Sequence, residues 1–361
     1  MRKALTSTFR QGIPMPKSRE IIASVVSAAH DVRNENRTLT WGEDQVLVRV
    51  ERGGICGSDI HYFLHGRAGM SVLKQPMIIG HEFVGRVVET PSGSQLKIGQ
   101  RVAINPSLPC NRCSRCLEGK QNLCGQMRFM GSAQFLPHVH GGFADYVAVS
   151  EQQCVPYADS SDAKVIAFAE PLAVAIHAVN RAGSLVGKKV LVTGSGPIGC
   201  LTIAAALASG AAEIVATDMS ERCRLLAREM GAARAVDPGN SDMTDAWQEN
   251  GGYFDVCFEA SGAAAAIAST PGFTRPGGRI VQLGMGAAIP AFPLGLLLVK
   301  EITLVGSFRF IDEFATAVRW LESGRINPLP LLSAEFPQSD VVKALETACD
   351  KNLAAKVQVV F

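Results

Sequence analysis

Four cysteines, Cys110, Cys113, Cys116 and Cys124, fall in one short polar loop with the spacing Cys-x2-Cys-x2-Cys-x7-Cys. Thiolates are soft ligands, and four of them satisfy an ion that imposes no geometry of its own, so the spacing points to a closed tetrahedral zinc site. A disulfide pair or an iron–sulfur cluster would draw on the same residues. Elsewhere Cys56 lies in Gly53-Gly54-Ile55-Cys56-Gly57-Ser58-Asp59, and twenty-five residues on comes Gly80-His81-Glu82, after the apolar residues 77–79. One thiolate, one imidazole and one carboxylate among crowding glycines form a catalytic-type zinc set, with a coordination position left for water or substrate.

A third motif, Gly194-Ser195-Gly196-Pro197-Ile198-Gly199, follows the strand-like Val190-Leu191-Val192-Thr193 and opens a helical pattern. That context makes it a dinucleotide turn: Gly194 for the tight bend, Gly196 for close approach of the pyrophosphate, Gly199 for helix packing, with amides facing the phosphates. Asp218 closes the next strand, nineteen residues beyond Gly199. A carboxylate there accepts from the adenosine ribose hydroxyls and repels a 2′-phosphate, which favours NAD. Arg222 and Arg224 stand near enough to hold that phosphate, so NADP use stays open.

These residues need elements to position them. Residues 21–105 read as short strands (21–27, 45–51, 83–90, 101–104) broken by Gly, Pro and charged turns, a β-rich unit. From about residue 187 strands alternate with helices: 189–193, 198–209, 213–217, 221–230, 255–259, 279–283 and 302–307. That alternation predicts a parallel sheet covered by helices on both faces. The tail, 311–361, holds a helical stretch at 313–322 and a last strand expected to return to the first unit.

A chain of 361 residues, 47% hydrophobic, has length for two domains and a large core. A net charge of +2 without a basic stripe excludes strong attraction to nucleic acid or an anionic membrane and leaves a small molecule as the partner. Ten cysteines are too sparse for a disulfide scaffold and fit a reducing cytoplasm. The charge-free run 190–212 is long enough to span a membrane, but Gly194, Gly196, Gly199, Gly210 and Pro197 divide it into strand, turn and helix. Residues 1–20 carry Arg2, Lys3, Arg10, Lys17 and Arg19 against one acid and read as a detachable arm, with Met15 as an alternative start. They lack the amphipathic pattern of a transit peptide.

With these pieces in place, the chain resembles the zinc-dependent medium-chain dehydrogenases, in the polyol branch that holds the sorbitol dehydrogenases, over nearly everything after residue 20. The resemblance rests on 53–62, on Gly80-His81-Glu82-Phe83-Val84-Gly85, on the four cysteines, on Glu170-Pro171-Leu172-Ala173-Val174-Ala175-Ile176-His177 and on the nucleotide turn. Segments 127–133 with 137–139, 306–310 and 326–335 look closer still to the bacterial L-idonate 5-dehydrogenases, which implies oxidation of L-idonate to 5-keto-D-gluconate, with neutral polyols such as sorbitol or xylitol as the alternative. One departure is Pro91, six after Gly85, where the family carries a small residue.

The family implies a GroES-like catalytic domain (21–172 and 311–361, with a zinc lobe at about 105–128) and a Rossmann domain (173–310), assembled as homodimers or homotetramers. It implies Cys56 and His81 as catalytic zinc ligands with Glu82 or Glu170, the other carboxylate reaching the metal through water. Ser58 would relay the proton and His61 pass it to solvent, although Ser58 also suits a helix cap and His61 a plain surface position. Tyr62 and Glu170 would hold substrate hydroxyls or the zinc water, and Leu283 and Phe308 line the cofactor. Arg309 matches a substrate-side arginine of the sorbitol dehydrogenases and so does not separate a sugar acid from a neutral polyol. Arg128 is read as the clamp for a substrate carboxylate, because a guanidinium pairs a carboxylate through two parallel hydrogen bonds. Two zincs per chain are expected. A quinone-oxidoreductase-like enzyme would lack Cys56, His81 and the lobe, and a non-enzymatic zinc and nucleotide binder would need no relay.

Overall fold

The computed structural model describes residues 16–286 and 291–361. The candidate start at Met15 lies outside the described residues. Residues 17–20, assigned above to the arm, instead open the strand Lys17–Ala28, which pairs antiparallel along its whole length with Asp31–Trp41.

Two sheets carry the molecule. The first runs Cys154–Pro156, Arg101–Ile104, Glu82–Glu89, Gln45–Gly54, Lys356–Val360, Leu332–Pro337, with Tyr146–Ser150 also on Gln45–Gly54. Alternation along these strands buries Val46, Val48 and Val50 on one face. As expected, the last strand returns, inserting its Gln358–Val360 end beside Arg52–Gly54. The second sheet is six-stranded and parallel, in the order Arg234–Val236, Glu213–Thr217, Lys189–Thr193, Phe254–Glu259, Thr274–Gln282, Thr303–Gly306. In chain order this is 3-2-1-4-5-6, the doubly wound pattern, with its crevice beyond the ends of Lys189–Thr193 and Phe254–Glu259. Val190, Leu191 and Val192 are wholly buried, as a strand covered on both faces requires.

The run 190–212 is accordingly a strand, a turn and the helix Pro197–Ala208, in which Pro occupies the first turn and alanines pack close. Among the described residues no helix is long and apolar enough to cross a membrane.

The helix Ala169–Ala182 crosses the division expected at 172/173 and packs against both Pro197–Ala208 and Glu313–Glu322, so the latter helix does not rejoin the first sheet. Glu313 fastens this joint. Its Oε1 accepts from His177 Nδ1 (2.9 Å) and Asn180 Nδ2 (2.9 Å), and its Oε2 accepts from the Ile311 N–H (2.7 Å). Burial pushes the carboxyl upward, but these donors outweigh it and hold the group at about 2. A carboxyl depressed in the folded state stabilises above its ordinary value near 4.5, and the contribution is lost as pH falls toward 2. We therefore expect Glu313→Gln to lower unfolding free energy by about 1–2 kcal/mol at pH 7 and by progressively less as pH falls from 4.5 toward 2.5. Urea midpoints of both proteins across that range check it; a gap constant with pH would mean the charge is not what holds the joint.

Candidate active site

The helix Gly57–His65 begins at Cys56, whose backbone is extended and whose N–H donates to Asp59 Oδ2 at 3.0 Å. It stops at Gly66, φ 62°, whose N–H returns to the Tyr62 carbonyl. The other Asp59 oxygen accepts the Gly80 N–H at 3.0 Å. One wholly buried carboxylate thus ties the segment carrying Cys56 to the one carrying His81. Gly80 is obligatory there: its φ is 87° and a Cβ would meet the Phe143 ring at 2.0 Å.

Cys56, His81 and Glu82 bring ligand atoms within 4.8 Å of one another. Several observations fit this set to a metal. Burial drives the Cys56 thiol up to about 12, with Glu82 adding to it, so a thiolate there needs a cation beside it. His81 Nδ1 is buried without a hydrogen-bond partner among the described residues, and Asp59 Oδ1 is 4.0 Å away. Glu170 adjoins: burial lifts its carboxyl to about 8, and His81, Glu82, Cys56 and Lys356 all act on it. Sequence reasoning missed Lys356. Its Nζ donates to both Glu82 oxygens (2.8 and 2.7 Å) and to the Ile55 carbonyl (3.0 Å), fully inside the protein.

The lobe sulfurs lie 3.6 Å (Cys113–Cys116), 3.9 Å (Cys113–Cys124) and 4.0 Å (Cys110–Cys116) apart. Sulfurs 2.3 Å from a common tetrahedral centre would be about 3.8 Å apart, so the cage has room for one zinc and not for a multi-iron cluster. All four cysteines are unpaired, which removes the disulfide reading. Backbone N–H groups of Arg112 and Cys113 aimed at Cys110 draw its thiol down to about 6, toward the thiolate a metal needs.

Around the catalytic set, Tyr62 is buried and its hydroxyl accepts the Ala133 N–H at 3.0 Å, leaving its own proton to donate. Ser58 and His61 share the helix, His61 exposed. Burial, with His65 and Lys351, lowers the proton affinity of His61. Arg128 is not brought to this site. It lies in the short strand Arg128–Phe129, where Phe129 turns its ring to His81 (centroids 5.5 Å apart), so alternation sends Arg128 to the other face, where it donates to Pro137 O (3.4 Å). Arg309 is brought in: it stacks on Phe129 at 4.3 Å, donates to Gln134 at 3.3 Å and feels Glu170 and Tyr62.

At the nucleotide turn the three glycines have different surroundings. Gly194 has φ 86°, Gly199 approaches so closely that a Cβ would stand 1.8 Å from the Gly194 carbonyl, and Gly196 faces open space. Asp218 braces the turn, accepting the Ser195 N–H (2.8 Å) and the Ser220 N–H (2.9 Å). Arg222 reaches instead to Ser333 Oγ (2.9 Å) and the Lys351 carbonyl (3.2 Å), while Arg224 holds the carbonyls of Asp218 and Met219. The Leu283 N–H donates to the Glu259 carbonyl at 2.8 Å, and the Phe308 side chain is exposed. Glu259, also missed, is wholly buried and gathers Thr193, Ser261, Gly262 and Gln282 at the mouth of the crevice.

Residues 42–159 match the alcohol dehydrogenase GroES-like domain and residues 197–323 the zinc-binding dehydrogenase domain. The chain belongs to the zinc-binding dehydrogenases. It is 52% identical over 337 residues to L-idonate 5-dehydrogenase (NAD(P)(+)) of Escherichia coli K12, covering 93% of this chain and 98% of that one. Sorbitol dehydrogenase of Gallus gallus is 37% identical over 332 residues, 90% of this chain and 92% of that one. The crystal structure of the Escherichia coli L-idonate 5-dehydrogenase superposes with a TM-score of 0.94 at 51% identity, covering 96% and 99% of the two chains. As a zinc-binding dehydrogenase of the polyol branch, this protein is an oxidoreductase with a GroES-like domain and a Rossmann domain, using zinc and a nicotinamide dinucleotide.

Proposed function

We propose that this dehydrogenase oxidises a secondary alcohol of a sugar acid, L-idonate to 5-keto-D-gluconate, reversibly and with NAD preferred over NADP. The observation that carries the reading is the 52% identity, across nearly both chains, to an enzyme named for that substrate. Arg309 supplies its physical counterpart, a half-buried guanidinium beside Tyr62 and Glu170, able to pair the carboxylate of the acid. We assign this role to Arg309 and withdraw it from Arg128.

Cys56 and His81, with Glu82 or Glu170, would hold zinc, which would supply Lewis acidity toward the substrate hydroxyl. What the chain does around it follows from its own groups. Ser58 Oγ takes the hydroxyl proton and hands it to His61, exposed and with lowered proton affinity, which releases it to water. A nicotinamide bound in the crevice would accept hydride from the same carbon, taking up the two electrons that the alcohol gives. Tyr62, its hydroxyl fixed by Ala133, donates to a substrate oxygen, and Glu170 orients a second oxygen or the water. Asp218 favours NAD by repelling a 2′-phosphate, and Arg222, bound only to neutral acceptors, can turn to that phosphate when NADP binds.

For assembly we infer a homodimer or homotetramer. The edge strand Thr303–Gly306, with Leu304 exposed, adjoins the helix Leu294–Val299, whose Leu298 and Val299 are exposed as well. The apolar strand 279–283 with residues 287–293 is a second candidate for the interface, of which 287–290 lie outside the described residues. Ten unpaired thiols fit a cytoplasmic setting.

The test is a panel of aldonates and polyols with each dinucleotide, followed by absorbance of the reduced cofactor. L-idonate should give the highest kcat/KM, and Arg309→Ala should lower it about a hundredfold on L-idonate but no more than tenfold on xylitol, since a charge-assisted pair contributes about 1.5–3 kcal/mol. Turnover of polyols without L-idonate would sink the sugar-acid reading.

A further inference from the structure

The cysteine lobe touches the substrate side of the site at one place the mechanism has not used. Asn122 sits in the turn Gln121–Leu123, between the third and fourth cysteines, and is 7% exposed. Its Nδ2 donates to the Phe308 carbonyl at 2.9 Å, across 186 residues of chain. Phe308 immediately precedes Arg309, which has φ 53°, a left-handed backbone that a non-glycine residue keeps only when its surroundings impose it.

Three further contacts hold the same segment. Phe310 is buried at 1% exposure, the Ile311 N–H is bound by Glu313, and the Arg309 guanidinium lies over Phe129, which itself belongs to the lobe's edge. The lobe therefore meets Arg309 twice, through Phe129 under its side chain and through Asn122 on the peptide before it. The turn carrying Asn122 is closed by the Cys124 N–H on the Gln121 carbonyl (3.0 Å), so its place is set by the cysteine cage.

We propose that the lobe, besides bracing the fold, sets the substrate arginine: Asn122 is a positioning residue that fixes the Phe308 peptide and with it the left-handed turn presenting Arg309. This rests on the reading of Arg309 as the partner of the substrate carboxylate. A carbonyl can be met only by a donor, so the amide of Asn122 is required in this orientation. Aspartate has the same shape but only acceptors at neutral pH. Asn122→Asp turns the hydrogen bond into a repulsion without changing volume.

The experiment is a double-mutant cycle on the zinc-loaded enzyme, with L-idonate and NAD, reading KM and kcat separately. Asn122→Asp should raise KM for L-idonate about tenfold, the scale of one buried hydrogen bond, with kcat changed less than about threefold and both zincs retained. In the Arg309→Ala background the same substitution should add nothing. An equal rise in that background, or no rise at all, would overturn the proposal. Asn122→Ala, which withdraws the donor without adding a charge, repeats the cycle if aspartate unsettles the lobe. If Arg309→Ala alone leaves KM for L-idonate unchanged, the substrate reading fails and this one with it. If Arg309→Ala raises KM and Asn122→Asp does not, only the role of the lobe is lost.

Discussion

Cys56→Ser should reduce turnover by about a thousandfold or more while the protein stays folded. Serine is not ionised at neutral pH and is a hard, weak ligand for zinc, so the set of Cys56, His81 and Glu82 loses its one soft donor. Lewis-acid stabilisation is worth several kcal/mol, and each 1.36 kcal/mol is tenfold in rate, which gives a loss of about that size. The fold survives because serine is a better helix N-cap than cysteine, and the backbone N–H at position 56 keeps its bond to Asp59. Zinc should fall from two to one per chain by elemental analysis, with far-ultraviolet circular dichroism unchanged. Cys124→Ser should show the complementary pattern: the same loss of one zinc, a lower Tm, and kcat at saturating substrate largely retained. Were Cys124→Ser to abolish turnover and Cys56→Ser only to lower Tm, the two metals would be assigned the wrong way round.

How much of this could be read from the sequence depended on how far apart the partners lie. Local signals were legible. The nucleotide turn needs only six consecutive residues and the strand before them, and the cysteine cage needs one loop. Strands that are short apolar runs, such as Arg101–Ile104 and Lys189–Thr193, were found at their observed bounds, whereas Asp31–Trp41 was not. Its sequence, DVRNENRTLTW, is polar because it pairs with Lys17–Ala28 at the surface and buries mainly Val32 and Trp41, so its only mark is a period of two among charged residues. The direction of Arg128 was illegible for a related reason. Arg128 and Phe129 are neighbours in sequence, and a strand sends neighbours to opposite faces, so Phe129 faces His81 while Arg128 donates to the Pro137 carbonyl. Asp59, Glu259 and Lys356 were illegible as site residues. Each is a buried charge whose purpose is the donors or acceptors it gathers, and for Lys356 the partner is 274 residues away.

That buried lysine sets up the last expected result. Lys356 Nζ contacts both oxygens of Glu82, a carboxylate also facing Cys56 and His81. Glu82 is therefore shared between a permanent ammonium and the metal set. Removing one partner of a buried ion pair ordinarily costs about 3–5 kcal/mol, because the remaining charge is left uncompensated. In Lys356→Met, however, the remaining charge adjoins a cation site, and zinc bound there compensates it. The loss should accordingly depend on metal: about 3–5 kcal/mol in chelator-treated protein and distinctly less in the zinc-loaded form. The lobe zinc is removed from wild type and variant alike, so it cancels from the difference. By linkage, a variant destabilised more without zinc than with it must bind zinc more tightly, and competition with a chromogenic chelator should show this directly. Glu82→Gln added to Lys356→Met should restore part of the stability of the chelated protein, since a neutral amide leaves no buried charge. Equal destabilisation of the two forms, with unchanged zinc affinity, would mean that Glu82 belongs to Lys356 alone and that the third ligand must be Glu170.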